Sequence, residues 1–309
     1  MHKLMCLLIG ICMLGGCNGT QESESTGPDM SLHFGVMMVL DSFPIFIAED
    51  LGYFDDEGLT VTIDRFMSGM DRDVAFQAND NMDGLTLDMV GLAMFQEGGI
   101  DKVMLASTIG LAAVMGAPEA TSMDDLVGGT VLAARNSAMD YLLYTALAQA
   151  GIPESDVDFV EIPAVPVRME MLLNGQGVGA LLPEPFKSLA EQQGLNVIAD
   201  TRGLGTNPFG MTVRRSTAME KREALQAFVR ALDRAVEYIN AAPREEVMGL
   251  LIEMAGFPEP LRETFDVPVF PRFRSPTVAQ LDHVFEFARH RGILSIPLSG
   301  EDVLVDLGF

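Results

Sequence analysis

Residues 48–61 read Ala48-Glu49-Asp50-Leu51-Gly52-Tyr53-Phe54-Asp55-Asp56-Glu57-Gly58-Leu59-Thr60-Val61: a helix end, a tight turn at glycine, and entry into a β-strand. Upstream, Leu32–Leu40 alternates so that Leu32, Phe34, Val36 and Met38 share one face, the pattern of a strand. Asp41-Ser42-Phe43-Pro44 then opens the helix that Gly52 stops: Asp or Ser caps it, and Pro suits its first turn. Downstream, Thr60–Phe66 is a second strand, and Ser68-Gly69-Met70-Asp71 caps a second helix ending near Asn79. Leu85–Leu87, Val103–Ser107 and Leu111–Gly116 follow as strands, with a helix from Asp88 to Glu97.

The same alternation begins again near Pro118. Strands are predicted at Thr130–Ala134, Asp158–Ile162, Val178–Leu182 and Asn196–Asp200. Helices are predicted at Met123–Val127, Ser137–Ala150, Pro166–Leu173 and Pro185–Gln193. Phe209–Arg214 reads as a strand returning to the first block, and the remainder is helical: Ala218–Asn240, Arg244–Met254, Glu259–Phe265 and Thr277–Arg291. Alternating strands and helices argue for an α/β fold with parallel strands. We expect two α/β lobes, the second inserted in the first, with 31–117 and 208–309 in lobe 1 and 118–207 in lobe 2. Crossings are expected near 115–120 and 200–210, and no tandem repeat is visible.

The N-terminus carries a different signal. Met1-His2-Lys3 precedes an apolar run from Leu4 to Leu14 and then Gly15-Gly16-Cys17. A short positive region, an apolar stretch and a small-residue cleavage site mark a secretory signal. The run is too short to span a bilayer. LGGC looks like the lipobox of bacterial lipoproteins, so residues 1–16 are expected to be removed and Cys17 to be lipidated. Residues 17–30 are polar and small, as a flexible tether should be. The chain has 3 Cys, at positions 6, 12 and 17, so a mature domain would hold neither free thiol nor disulfide. Of 4 His, only His33, His283 and His290 would remain, too few for His-based acid–base or zinc chemistry. A net charge of −24, from 20 basic and 44 acidic residues, speaks against nucleic-acid binding and for solubility.

Taken together, these residues resemble the ABC-transporter substrate-binding proteins of the nitrate/sulfonate/taurine branch, which includes thiamine-precursor binders. The opening motif is the 48–61 stretch. Gln77–Asp88 resembles the segment where strand three ends at the cleft. Asp125-Leu126-Val127-Gly128-Gly129-Thr130-Val131 resembles the entry to the second lobe, with Thr130 where the family often has Lys. Arg168 with Met171-Leu172, then Ala180-Leu181-Leu182-Pro183-Glu184-Pro185, resembles the stretch that closes that lobe's sheet. The resemblance implies the type II periplasmic-binding-protein fold, with a ligand cleft between two lobes. It also implies capture of a small solute, no cofactor, a membrane permease with its ATPase as partner, and a monomer at the periplasmic or extracellular face.

In open α/β sheets, ligands bind beyond the carboxyl ends of strands, where helix N-termini present unpaired N–H groups. That rule selects Asp41, Ser42 and Phe43 after strand one, Ser68, Gly69 and Met70 after strand two, and Thr86 and Asp88 after strand three. In the second lobe it selects Asn136, Ser137, Met139, Glu184 and Phe186; Asn207 and Phe209 lie on the return crossing. The resemblance points to the same loops. Capping alone accounts equally well for Asp41, Ser42, Ser68, Asp71 and Ser137, and Met67, Met70 and Met139 also suit core filler. Glu184 reads equally as hinge or ligand contact, and Arg168 as a salt bridge to a neighbouring acid ahead of a ligand anchor. His33 is read as surface or lobe packing, and His283 and His290 as solvated.

Acidic candidates with few basic ones suit a solute carrying an amine or heterocyclic N–H, zwitterions included. The alternatives are an enzyme on the same fold in thiamine-pyrimidine or menaquinone-type biosynthesis, and a lipid-anchored sensor or adaptor. Neither gains support from a catalytic residue in the sequence.

Overall fold

The turn at residues 48–61 forms as its glycines require. The structure, a computed structural model, describes residues 27–308, so the expected export signal and Cys17 lie outside the described residues. Gly52 (φ +71°) and Gly58 (φ +72°) adopt left-handed conformations in open space, so the demand on them is conformational rather than steric. Around them the chain builds β1 (Ser31–Met37), α1 (Phe43–Asp50), α2 (Tyr53–Asp56) and β2 (Thr60–Phe66). Then come α3 (Gly69–Ala78), β3 (Gly84–Thr86), α4 (Met89–Glu97) and β4 (Lys102–Ser107).

The second block holds β5 (Ala112–Gly116), β6 (Thr130–Ala133), α5 (Ala138–Ala150), β7 (Asp158–Glu161) and α6 (Val165–Leu173). It closes with β8 (Gly179–Pro183), α7 (Phe186–Gln192) and β9 (Asn196–Asp200). β10 (Gly210–Arg214) precedes α8 (Arg215–Glu220), α9 (Arg222–Ala241), α10 (Arg244–Ala255) and α11 (Val278–His290).

Two five-stranded sheets result, in the orders β2-β1-β3-β10-β4 and β7-β6-β8-β5-β9. Position for position these orders are the same, although the sequence shows no repeat. In each, the fourth strand runs antiparallel: β10 against β3 and β4, β5 against β8 and β9. The sheets are therefore mixed rather than wholly parallel, because a strand arriving from the other lobe enters from the opposite end. Sheet membership also moves one boundary. Residues 112–116 pair only within the second sheet, so the outward crossing is 108–111, ahead of the expected 115–120. The return runs through 201–209.

The first lobe's core stacks Phe34, Phe228 and Phe54, with ring centroids 4.6 and 5.2 Å apart. A second apolar cluster joins the lobes: Met89 and Val90 of α4, Tyr141 and Tyr144 of α5, and Phe285 and Phe287 of α11. Phe287 meets Tyr141 edge-on at 5.4 Å. Beside it, Arg291 donates to the fully buried carboxylate of Asp140 at 2.8 Å and pairs with Glu154. His290, expected to be solvated, also bonds Glu154 at 2.9 Å and lies 5.4 Å from the Tyr144 ring. No described helix is long and apolar enough to cross a membrane.

Candidate functional site

The carboxyl ends of β1, β2 and β3 bring together Asp41, Arg72, Asp73, Thr86 and Asp88. Asp88 follows β3 and caps α4, accepting the Gly91 N–H at 2.8 Å. The Ala138 N–H, on the first residue of α5 in the second lobe, also favours its ionised form. One carboxylate therefore caps the helix of one lobe and feels the start of a helix of the other, where helix dipoles favour negative charge. Asp41 accepts from the Thr108 hydroxyl at 3.1 Å, on the outward crossing.

Burial pushes the Asp41 carboxyl above its ordinary range, against the opposing hydrogen bond from Thr108 and attraction to Arg72, and Asp88 nearby adds to the rise. Burial likewise raises Asp88, opposed by the Gly91 and Ala138 N–H groups and Arg72, with Asp73 adding repulsion. Arg72 is buried and already committed: Nη1 donates to the Thr86 carbonyl at 2.6 Å, and its other nitrogens hold Asp73 at 2.9 and 2.7 Å. Beneath it, the Lys102 amine is fully buried, 3.4 Å from the Phe76 ring centroid, and burial holds its pKa well below the usual amine value. This wall of the cleft is thus rich in carboxylate and poor in free positive charge. Among the described residues no cluster of His, Cys, Asp and Glu suits a metal ion.

Ser137 caps α5, accepting the Met139 N–H at 3.2 Å and donating to the Ala134 carbonyl at 2.9 Å. Asn136 precedes it at φ +53°, which Asn tolerates better than most residues, and its N–H bonds Asp140 at 3.1 Å. Ser68 caps α3 at 3.3 Å from the Asp71 N–H, beside half-buried Gly69. The Thr86 hydroxyl accepts the Met37 N–H at 2.9 Å, tying β3 to β1.

Other candidates lie elsewhere. Phe43 is in the first lobe's core against Phe270, and Ser42 beside it is fully buried, with no hydrogen-bond partner for Oγ. The Met139 side chain joins the second lobe's core and Phe186 packs against a neighbouring layer, so neither walls the cleft. Met70 is 71% exposed on the rim. Asn207 donates to the Thr108 carbonyl at 2.7 Å and accepts the Phe209 N–H at 3.2 Å, which makes the pair a clasp between the crossings.

Glu184 is buried, bonded to Ser188 at 3.0 and 3.2 Å and 3.6 Å from Lys187. Burial raises its pKa, opposed by Lys187 and Ser188. It faces a cavity of about 230 Å³ with Leu111, Lys187, Asp200, Thr201 and Asp266, apart from Asp41 and Asp88. Sequence reasoning passed over Arg72, Asp73 and Thr108. The string Asp71-Arg72-Asp73 in the first turn after a strand was the available signal for the first two.

A model of the NMT1-like family matches residues 25–252, well over half of the chain. The chain belongs to the NMT1-like family. No curated protein matches it by sequence. Among solved structures, this NMT1-like chain is similar to the periplasmic aliphatic sulphonate binding protein SsuA from Escherichia coli. The TM-score is 0.78 at 17% identity, covering 90% of this chain and 98% of that one. The alkanesulfonate-binding protein SsuA from Xanthomonas axonopodis pv. citri, bound to MOPS, gives 0.74 at 16% identity over 90% and 97%. The periplasmic nitrate-binding protein NrtA from Synechocystis PCC 6803 gives 0.67 at 15% identity over 88% and 84%. The shared fold is that of the periplasmic binding proteins, two lobes with a cleft between them.

Proposed function

We propose that this chain captures a small organic solute between its lobes and delivers it to the permease of an ABC importer. Asp88, which caps α4 of one lobe and whose charge is favoured by the first N–H of α5 in the other, is the observation that carries the reading: a group so placed responds to closure. The proposed solute presents an amine or heterocyclic N–H to Asp41 and Asp88, displacing part of their present bonding. The sulfonate and nitrate proteins that share the fold are named for anions, whereas this wall is acidic. The pairing of the crossings through Thr108, Asn207 and Phe209 suits a hinge that turns as a unit.

The test is a thermal-unfolding screen of the full chain against amino acids, taurine, sulfonates, nitrate, pyrimidines, and flavin and thiamine precursors. A solute at 100 times its dissociation constant adds about 2.7 kcal/mol. We expect a saturable upward shift from one class bearing an N–H donor. A shift confined to nitrate or simple sulfonates would overturn the acidic-wall reading, and no shift across the panel would overturn capture of these solutes.

We also propose that Cys17 anchors the protein by lipid to a membrane of the cell envelope, at its periplasmic or extracellular face. Cys17→Ser should move the protein from the membrane fraction to the soluble one. Unchanged membrane association would refute the anchor.

A further inference from the structure

The two lobes meet on both sides of the cleft, and the two contacts are built differently. On one side α4 of the first lobe, α5 of the second and α11 share an apolar cluster in which Met89, Val90, Phe285 and Phe287 are at most 1% exposed. Among the described residues, the ion pairs that join the lobes all lie here: Arg291 with Asp140 and Glu154, and His290 with Glu154. The return crossing packs on the same helix α5. Gln149 donates to the Leu204 carbonyl at 3.1 Å, and the Thr206 and Tyr141 hydroxyls are 3.4 Å apart.

On the other side α7 of the second lobe faces the turn Glu259–Leu261 of the first. Gln192 donates to the Pro260 carbonyl at 3.2 Å and to the Thr264 hydroxyl, both at exposed positions. Of α7 only the partly buried Leu189 reaches the first lobe's core. Between them lies the cavity of about 230 Å³, closed from the first lobe by Thr264, Phe265 and Asp266. The repeated sheet order sharpens the contrast, because β3 and β8 hold the same place in their sheets. Asp88 follows β3, caps α4 and has its charge favoured by the Ala138 N–H of α5. Glu184 follows β8, accepts the Ser188 N–H of α7 at 3.2 Å, and meets the cavity instead.

Parting the lobes at α5 and α11 would expose the apolar cluster and strand the Asp140 carboxylate. Parting them at α7 breaks two solvent-exposed hydrogen bonds and widens an existing gap. We propose that the lobes turn about the α4–α5–α11 contact and open on the α7 side, so that solute enters and leaves between Glu184 and Asp266. This rests on the solute-capture reading and adds the route. The opening carries Glu184, Glu191, Asp200 and Asp266 against Lys187 and Arg202, a balance that draws in a positively charged group.

Spin-label distance measurements by pulsed paramagnetic resonance, on the full chain with Cys6, Cys12 and Cys17 replaced by serine, test the asymmetry without any solute. One pair of labels spans the α7 side, at Glu191→Cys and Glu259→Cys. The other spans the α5–α11 side, at Ala148→Cys and Glu286→Cys; all four positions are exposed. The α7 pair should show a broad distribution with a population longer by about 5 Å, while the α5–α11 pair keeps a single narrow one. Equal widths, both narrow or both broad, would overturn the proposal, as would the broader distribution at α5–α11. The thermal screen separates this motion from solute capture. A solute shift there with equal widths here removes the one-sided opening and leaves capture standing. Unequal widths with no shift from any solute leave the motion and remove capture.

Discussion

Arg291→Met is expected to destabilise the protein by about 3 kcal/mol, the lower end of the range for breaking a buried ion pair. Asp140 has no exposed side-chain surface, and Arg291 supplies two of its hydrogen bonds, at 2.8 and 3.2 Å. Without Arg291 the carboxylate keeps only the Asn136 N–H at 3.1 Å. Arg291 retains some exposure, which argues for the lower end. The unfolding midpoint should fall by roughly 6–10 °C. Because Asp140 lies in the first turn of α5 and Arg291 follows α11, amide exchange should quicken at 136–142 before it does elsewhere. Adding Asp140→Asn should recover more than about 1 kcal/mol, since the double variant leaves no unpaired buried charge. A loss below about 1 kcal/mol for the single variant would mean that the Tyr141–Phe287 cluster alone holds the lobes together.

This ion pair illustrates what the sequence reveals and what it conceals. Strands and helices followed from local pattern: alternation at Leu32–Met38, caps at Ser68 and Ser137, glycine stops at Gly52 and Gly151. Each depends on residues within one turn or one pleat of each other. Strand 112–116 was placed in the wrong lobe because its alanine-rich run carries no mark of its partners, and pairing is a long-range fact. The carboxyl-edge rule located Asp41 and Asp88 because they begin helices directly after strands. It also selects Phe43, Met139 and Phe186, whose side chains turn into the cores. Position along the chain fixes a loop, whereas rotamer and packing decide direction. For Arg168 the sequence leaves a salt bridge and a ligand anchor open, and only three-dimensional packing shows that no acid reaches it. His290 is exposed, as read, while its partner Glu154 is supplied by the other block and left no sign near it in the sequence.

The largest effect on binding is expected from Asp41→Asn together with Asp88→Asn. Both native pKa values are raised, chiefly by burial. Between the ordinary aspartate value and the raised native one, the folded state binds more protons than the unfolded state. Stability contributed by these groups therefore falls as pH rises through that window, and the ionised pair is held at a cost under neutral conditions. Asn keeps the shape and an accepting oxygen for Gly91 while removing the charge. Folding stability at neutral pH should accordingly be unchanged or slightly higher. Binding should respond in the opposite sense, because a charge-assisted hydrogen bond to an amine is worth about 2 kcal/mol, or roughly 30-fold in affinity for each carboxylate. In wild type, affinity for such a solute should weaken on acidification, beginning above the ordinary aspartate range as the carboxylates are protonated. The double variant should bind weakly, with no such pH dependence. Calorimetric titration across pH with the solute found in the thermal screen reads both quantities. Wild-type affinity in the double variant, or an unaltered pH profile, would place the recognition elsewhere in the cleft and reduce Asp88 to the cap of α4.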